Sequence, residues 1–174
     1  MPARPRHAHR ALALALLIAG GAAAIASSCA SPRRADGAAT VVRAVDGDTI
    51  DVRLGGATER VRLLGIDTPE TVKPDTPVQC FGPEASARTK HLLPPGTVVV
   101  LQRDQEARDR YGRLLAYVTR RRDGLFVNRA LVADGYARTL SIEPNTAHRP
   151  DLAAAEATAR GAGRGLWGSC HQPP

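Results

Sequence analysis

From residue 40 onward, aliphatic and β-branched side chains come in short runs, cut by pairs that contain glycine. In VVRAVDGDTIDVRLGGATERVRLLGID, Asp46-Gly47 and Gly55-Gly56 are hairpin-turn signals. They predict strands near residues 40–45, 48–54 and 59–66 in an antiparallel meander. Within the second strand, Ile50, Val52 and Leu54 share one face, and Asp51 and Arg53 share the other. Asp48 has the parity of the apolar face, so its carboxylate needs a compensating partner. In the third strand, period two groups Arg62 with Leu64 and Ile66 and puts Asp67 opposite. Arg62 and Asp67 can meet only where the strand bulges or ends, and Gly65 is the natural bulge position.

Residues 69–81 contain three prolines and no periodicity, which predicts a long loop. A helix follows Gly82-Pro83, with proline at its start and an acid in its first turn, and Pro94-Pro95-Gly96 stops it. Residues 97–102 and 113–120 read as strands joined by a charged connection, and Asp123-Gly124 is a further turn. Residues 126–134 read as a short helix closed by Gly135. An alanine-rich helix opens at Pro150-Asp151 and ends at Gly161, and Trp167 is the large aromatic anchor near the terminus. Five short strands in antiparallel order with helices between them predict a mainly β (α+β) fold. The expected architecture is a five-stranded Greek-key barrel packed with three helices, the class that includes the OB-fold.

The amino-terminal segment changes the meaning of the charge. Residues 1–28 pair a basic start with a small-residue apolar run too short for the ~20 residues of a membrane helix, and read as a signal peptide. That run ends at Ser27-Ser28-Cys29, similar to a bacterial lipoprotein processing site, although Ala26 stands where a larger aliphatic residue is usual. The expectation is export, with Cys29 lipidated and the membrane touched only through that anchor; ordinary cleavage nearby is the alternative. Loss of residues 1–28 removes three arginines and no acid, so the formal charge falls from +7 to +4. Charge alone therefore makes a poor case for a polyanionic partner. Residues 29–39 read as a disordered tether, 40–170 as the domain and 171–174 as a tail. With Cys29 set aside, Cys80 and Cys170 remain for one disulfide in an oxidising compartment, two free thiols being the alternative. No clustered Cys/His spacing suggests zinc.

The candidate chemistry lies at strand ends: Asp48, Asp67, Glu70, Arg62 and Arg113, with Asp109, Arg110 and Tyr111 just before the last. Three acids near a core edge repel one another unless a cation or arginines intervene. Two carboxylates and a carbonyl suit a hard divalent ion such as Ca²⁺ or Mg²⁺, and Thr68 before Pro69 has its carbonyl fixed in direction. Arginine forks grip phosphate oxygens, and a spare carboxylate can orient or deprotonate water. Each residue also has a bland reading: Asp46 and Asp48 as turn formers, Asp67-Thr68-Pro69 as a turn, and the arginines as surface partners.

Four segments in order resemble the staphylococcal nuclease (thermonuclease) family: residues 45–49, 62–70, 81–86 and 109–117, with later matches at 128–132 and 166–167. The resemblance implies an OB-type barrel with three helices and Ca²⁺-dependent hydrolysis of DNA and RNA to 3'-phosphate products. It implies Asp48, Asp67 and the Thr68 carbonyl as metal ligands, Glu70 as the residue that handles water, and Arg62 and Arg113 as the phosphate-gripping catalytic arginines. Arg110 and Tyr111 fall at nucleic-acid-binding positions. Residues 139–143 (TLSIE) lack the aromatic that stacks on a base in the staphylococcal form, which predicts weaker binding or altered base preference. No obligate protein partner is expected. A catalytically silent nucleic-acid-binding module on the same fold is the alternative, and a structural envelope lipoprotein is a third reading.

Overall fold

Alternation carries the barrel. The computed structural model describes Met1, residues 35–71 and residues 77–170. Apart from Met1, the leader, Cys29 and the tail lie outside the described residues. Five strands close in the order β1 (Ala35–Ala44), β2 (Thr49–Leu54), β3 (Ala57–Leu63), β6 (Leu114–Arg120), β5 (Val98–Gln102), with β5 returning to β1. β1 begins at Ala35, so residues 35–39 belong to the barrel and not to the tether that composition suggested. The pairing is antiparallel except between β3 and β6, where Val61, Arg62 and Leu63 run parallel to Leu114, Leu115 and Ala116. That parallel step corrects the all-antiparallel expectation and closes the OB-type barrel.

Inward positions of the strands supply fully buried Ile50, Val52, Val61, Leu63, Val99, Leu101 and Val118. Each such side chain contributes roughly 1.5–3 kcal/mol relative to exposure. Three helices pack around the barrel: α1 (Gly82–Leu92), α2 (Val127–Ala133) and α3 (Arg149–Gly161), and Leu131, Val132, Leu152 and Ala155 join the same core. A last turn, α4 (Leu166–Ser169), inserts Leu166 completely. The terminal anchor is therefore Leu166, while Trp167 stays half-buried.

The third predicted strand is two pieces. β3 stops at Leu63, Leu64 and Gly65 make a turn with Gly65 at φ +75°, and β4 (Ile66–Asp67) pairs with β7 (Arg138–Thr139). Gly65 is thus a turn residue, not a bulge; a Cβ there would lie 2.5 Å from Leu152 Cδ1. Asn128 of α2, wholly buried, secures the turn: its Nδ2 donates to the Leu64 carbonyl at 2.8 Å, and its Oδ1 accepts from the Val118 N–H at 2.9 Å.

Cys80 and Cys170 form a disulfide, as the cysteine count suggested, tying the entry of α1 to the end of α4 over a sequence separation of 90. Converting both cysteines to serine should lower unfolding free energy by about 2–5 kcal/mol. Urea denaturation checks this, and an unchanged midpoint would show that the crosslink adds no net stability.

Candidate active site

Asp48 sits immediately before β2, on a loop whose shape follows from its own sequence. The Asp48 N–H donates to Asp46 Oδ1 at 3.0 Å, and the Leu63 N–H donates to the Asp48 carbonyl at 2.9 Å. From α1, Thr89 Oγ1 donates to the Gly47 carbonyl at 2.6 Å. Gly47 leaves room for Thr68, whose Oγ1 would lie 2.4 Å from a Cβ at that position. The inward parity of Asp48 is answered by donors. Its Oδ2 accepts from the Thr68 N–H at 3.0 Å and Thr68 Oγ1 at 3.1 Å, and its Oδ1 accepts from Thr49 Oγ1 at 3.1 Å and faces Arg62 Nε at 3.2 Å.

The turn at Leu64-Gly65 lets Arg62 and Asp67 meet although strand parity separates them. Arg62 Nη2 reaches Asp67 Oδ1 at 3.1 Å, while Nη1 donates to the carbonyls of Leu63 at 2.7 Å and Ile66 at 2.8 Å. One guanidinium therefore spans both acids and staples the turn, a second role that sequence reasoning missed. Arg113 is aimed by Asp109, which accepts from its Nε at 2.7 Å and its backbone N–H at 2.9 Å. Burial opposes ionisation of Asp109, but the hydrogen bonds from Arg113 outweigh it and hold the carboxyl below its usual range. Glu70 is fixed by its backbone: its N–H donates to Gln79 Oε1 at 2.9 Å, and its carbonyl accepts from the Gln79 N–H at 3.0 Å. Gln79 was not singled out in the sequence, where it lies in an aperiodic loop.

Asp48, Arg62, Asp67, Thr68, Glu70 and Arg113 line one hollow of about 220 Å³. A second, more apolar pocket of about 420 Å³ shares Arg62 and Arg113 and is walled by Arg110, Tyr111, Leu140 and Ile142. Tyr111 is 67% exposed and Arg110 lies over its ring at 4.8 Å, so both are open to a ligand. The wall formed by residues 139–143 is aliphatic, as its sequence requires.

The acids carry unbalanced charge. Burial, then the neighbouring Asp48 charge, pushes the Asp46 carboxyl up to about 6. The same two causes raise Asp67 against the opposing pull of Arg62 and Arg138. Such a cluster is stabilised by a cation. No group of three His, Cys, Asp or Glu among the described residues is arranged to hold a metal by itself. A hard ion here would rest on the two carboxylates Asp48 and Asp67, with the Thr68 carbonyl and water making up its oxygen shell. The donor chemistry fits such an ion.

A closed barrel of this strand order, with acids and arginines gathered on one rim, defines an OB-fold protein with a cleft suited to a phosphate-bearing ligand. Residues 60–169 match the family model "Staphylococcal nuclease homologue". The chain is 41% identical over 127 residues to "Thermonuclease" of Staphylococcus hyicus, covering 73% of each protein. It is 45% identical over 127 residues to "Thermonuclease" of Staphylococcus intermedius, covering 73% of this chain and 74% of that one. It is 41% identical over 129 residues to "Endonuclease YncB" of Bacillus subtilis, covering 74% of this chain and 60% of that one. The chain belongs to the staphylococcal nuclease family.

Proposed function

We propose that the protein is a Ca²⁺-dependent nuclease that hydrolyses phosphodiester bonds of DNA and RNA and leaves 3'-phosphates. The observation that carries this reading is the convergence of Asp48, Asp67, Glu70, Arg62 and Arg113 on one hollow. Its support is twofold: the family of the chain, and a set of groups that matches what hydrolysis of a phosphodiester needs. Arg62 and Arg113 meet the charge that accumulates on the equatorial phosphate oxygens, and their forked donors suit that geometry. Glu70 receives the proton of the attacking water. Asp48 and Asp67 hold the cation, which when bound adds positive charge beside the phosphorus centre. Tyr111 and Arg110 receive the adjoining nucleotide.

The deciding experiment incubates the purified protein with single-stranded DNA, duplex DNA and RNA in Ca²⁺ or in chelator. Cleavage that stops on chelation, with 3'-phosphate ends, supports the enzyme; binding without cleavage in Ca²⁺ overturns it in favour of a silent binding module. Export, with residues 1–28 removed and Cys29 acylated, is part of the same proposal and is motivated by sequence pattern alone. Mass spectrometry of the native amino terminus tests it, an unmodified Cys29 ruling out the lipid.

A pH effect follows from the acids. Folded Asp46 keeps its proton up to about pH 6, whereas the unfolded carboxyl loses it near 4. The metal-free protein should therefore lose stability as pH rises from about 4 to 6, by about 3 kcal/mol at most from Asp46. Added Ca²⁺ should restore it above pH 6, and below about pH 6 its binding should release protons. Thermal midpoints at several pH values with and without Ca²⁺ measure this; curves that stay parallel in pH would contradict it.

A further inference from the structure

We propose a second nucleotide subsite, in a groove that borders the acids, built by Arg138, Leu140, Arg160 and Trp167. It rests on the nuclease reading and extends it. A groove of about 530 Å³ runs between Asp67, Arg138, Leu140, Glu156, Arg160 and Trp167. It adjoins the reaction centre, because Asp67 lines both this groove and the acid hollow, and Leu140 lines both this groove and the Tyr111 pocket. A strand whose phosphate lies at Arg62 and Arg113 therefore has two ways to go. One leads to Tyr111 and the other leads past Asp67 into this groove.

The chemistry of the groove suits an unpaired nucleotide. The Arg160 guanidinium lies over the Trp167 ring at 4.8 Å, making a layered cation and indole on which a base can stack. Leu140, 37% exposed, extends that surface. Among the described residues no carboxylate lies within 4.0 Å of Arg160, and Arg138 reaches Asp67 Oδ2 only at 3.9 Å, so both forks retain donors for phosphate. The remaining acid, Glu156, is turned onto Thr139, accepting from its N–H at 3.2 Å and its Oγ1 at 2.6 Å. Two arginines against Asp67 and Glu156 leave the groove with little net charge. Stacking therefore contributes more here than bulk attraction for phosphate, and a duplex, whose bases are already stacked on one another, cannot use it. The subsite selects single-stranded substrate.

Two measurements test this. The first is kcat/KM for single-stranded oligothymidylates of increasing length, with Ca²⁺. Extension by one nucleotide into the groove should raise kcat/KM by about fivefold or more. Arg160→Gln should abolish most of that gain, whereas Arg122→Gln, the same charge change outside both clefts, should keep it. Cleavage with no dependence on length, or a gain that survives in Arg160→Gln, overturns the subsite and leaves the nuclease reading intact. The second uses Trp167, the single tryptophan of the chain, as a fluorescent reporter in Glu70→Gln with Ca²⁺. Oligothymidylate should produce a saturable change in emission that duplex of matched length does not, and that Arg160→Gln weakens by the same factor. Should no length be cleaved, the nuclease reading fails and this titration still decides the subsite, an unresponsive tryptophan overturning it.

Discussion

Glu70→Gln should lower the rate of cleavage by about 10²–10⁴-fold while the protein stays folded and keeps its affinity for oligonucleotide. The expectation comes from how Glu70 is held. Gln79 secures its backbone on both sides, and Glu70 Oε1 accepts from the Thr71 N–H at 2.7 Å. A glutamine amide has the same shape and can keep that acceptor, so the loop has no reason to move. What disappears is the ability to take a proton from water. Single-turnover kinetics, a thermal melt and a binding titration together separate these effects. A rate near that of the parent protein would remove Glu70 from the chemistry, and a large drop in melting temperature would make it a structural residue.

Arg62→Lys should be the more damaging of the two arginine replacements, because Arg62 uses its whole fork. It faces Asp48 and Asp67 and donates to two backbone carbonyls, with its side chain only 13% exposed. A lysine has one nitrogen on a flexible stem and cannot replace four contacts in different directions. The Leu63 and Ile66 carbonyls would lose their donor, and one carboxylate would lose its counter-charge. The expected stability loss is about 2–4 kcal/mol, with a fall in kcat of about 10²–10³-fold. Arg113→Lys gives up the Nε contact to Asp109 and the guanidinium's place over the Tyr111 ring at 5.5 Å, but the backbone N–H contact remains, and its side chain is 29% exposed. The rate should still fall by about 10²-fold, but stability should change by less than about 1 kcal/mol. Denaturant midpoints beside kcat for both variants provide the check. Equal stability losses would mean that the turn does not depend on Arg62.

The barrel strands were legible because alternation reports one buried face, and the helices because proline and glycine mark their ends. The parallel pairing of β3 with β6 was not legible, since period two gives a face but says nothing about which distant strand lies alongside. The anomaly at Asp48 was visible as a parity error, yet its resolution was not. The donors that satisfy it come from Thr68, twenty positions on, and from Arg62 on a neighbouring strand. Gly65 could be flagged as a break, but whether the break was a bulge or a turn depended on Leu152 and Asn128, which pack against the turn from other elements. Asn128 and Gln79 act through backbone groups of other segments, and no periodicity or spacing marks a side chain for such a role. The groove beside Trp167 is assembled from β4, β7, α3 and α4 and has no contiguous signature at all.

The parallel contact between Val61 and Leu114 also governs when the molecule becomes dangerous. Arg113 stands one residue before that contact and Arg62 one residue after its partner, so the two forks line a common hollow only once segments some fifty positions apart have met. Closing so long a stretch of chain belongs to the slower class of folding events. A nascent or unfolded chain, carrying every reactive side chain, therefore has no assembled cleft, and the ability to cut begins with completion of the barrel.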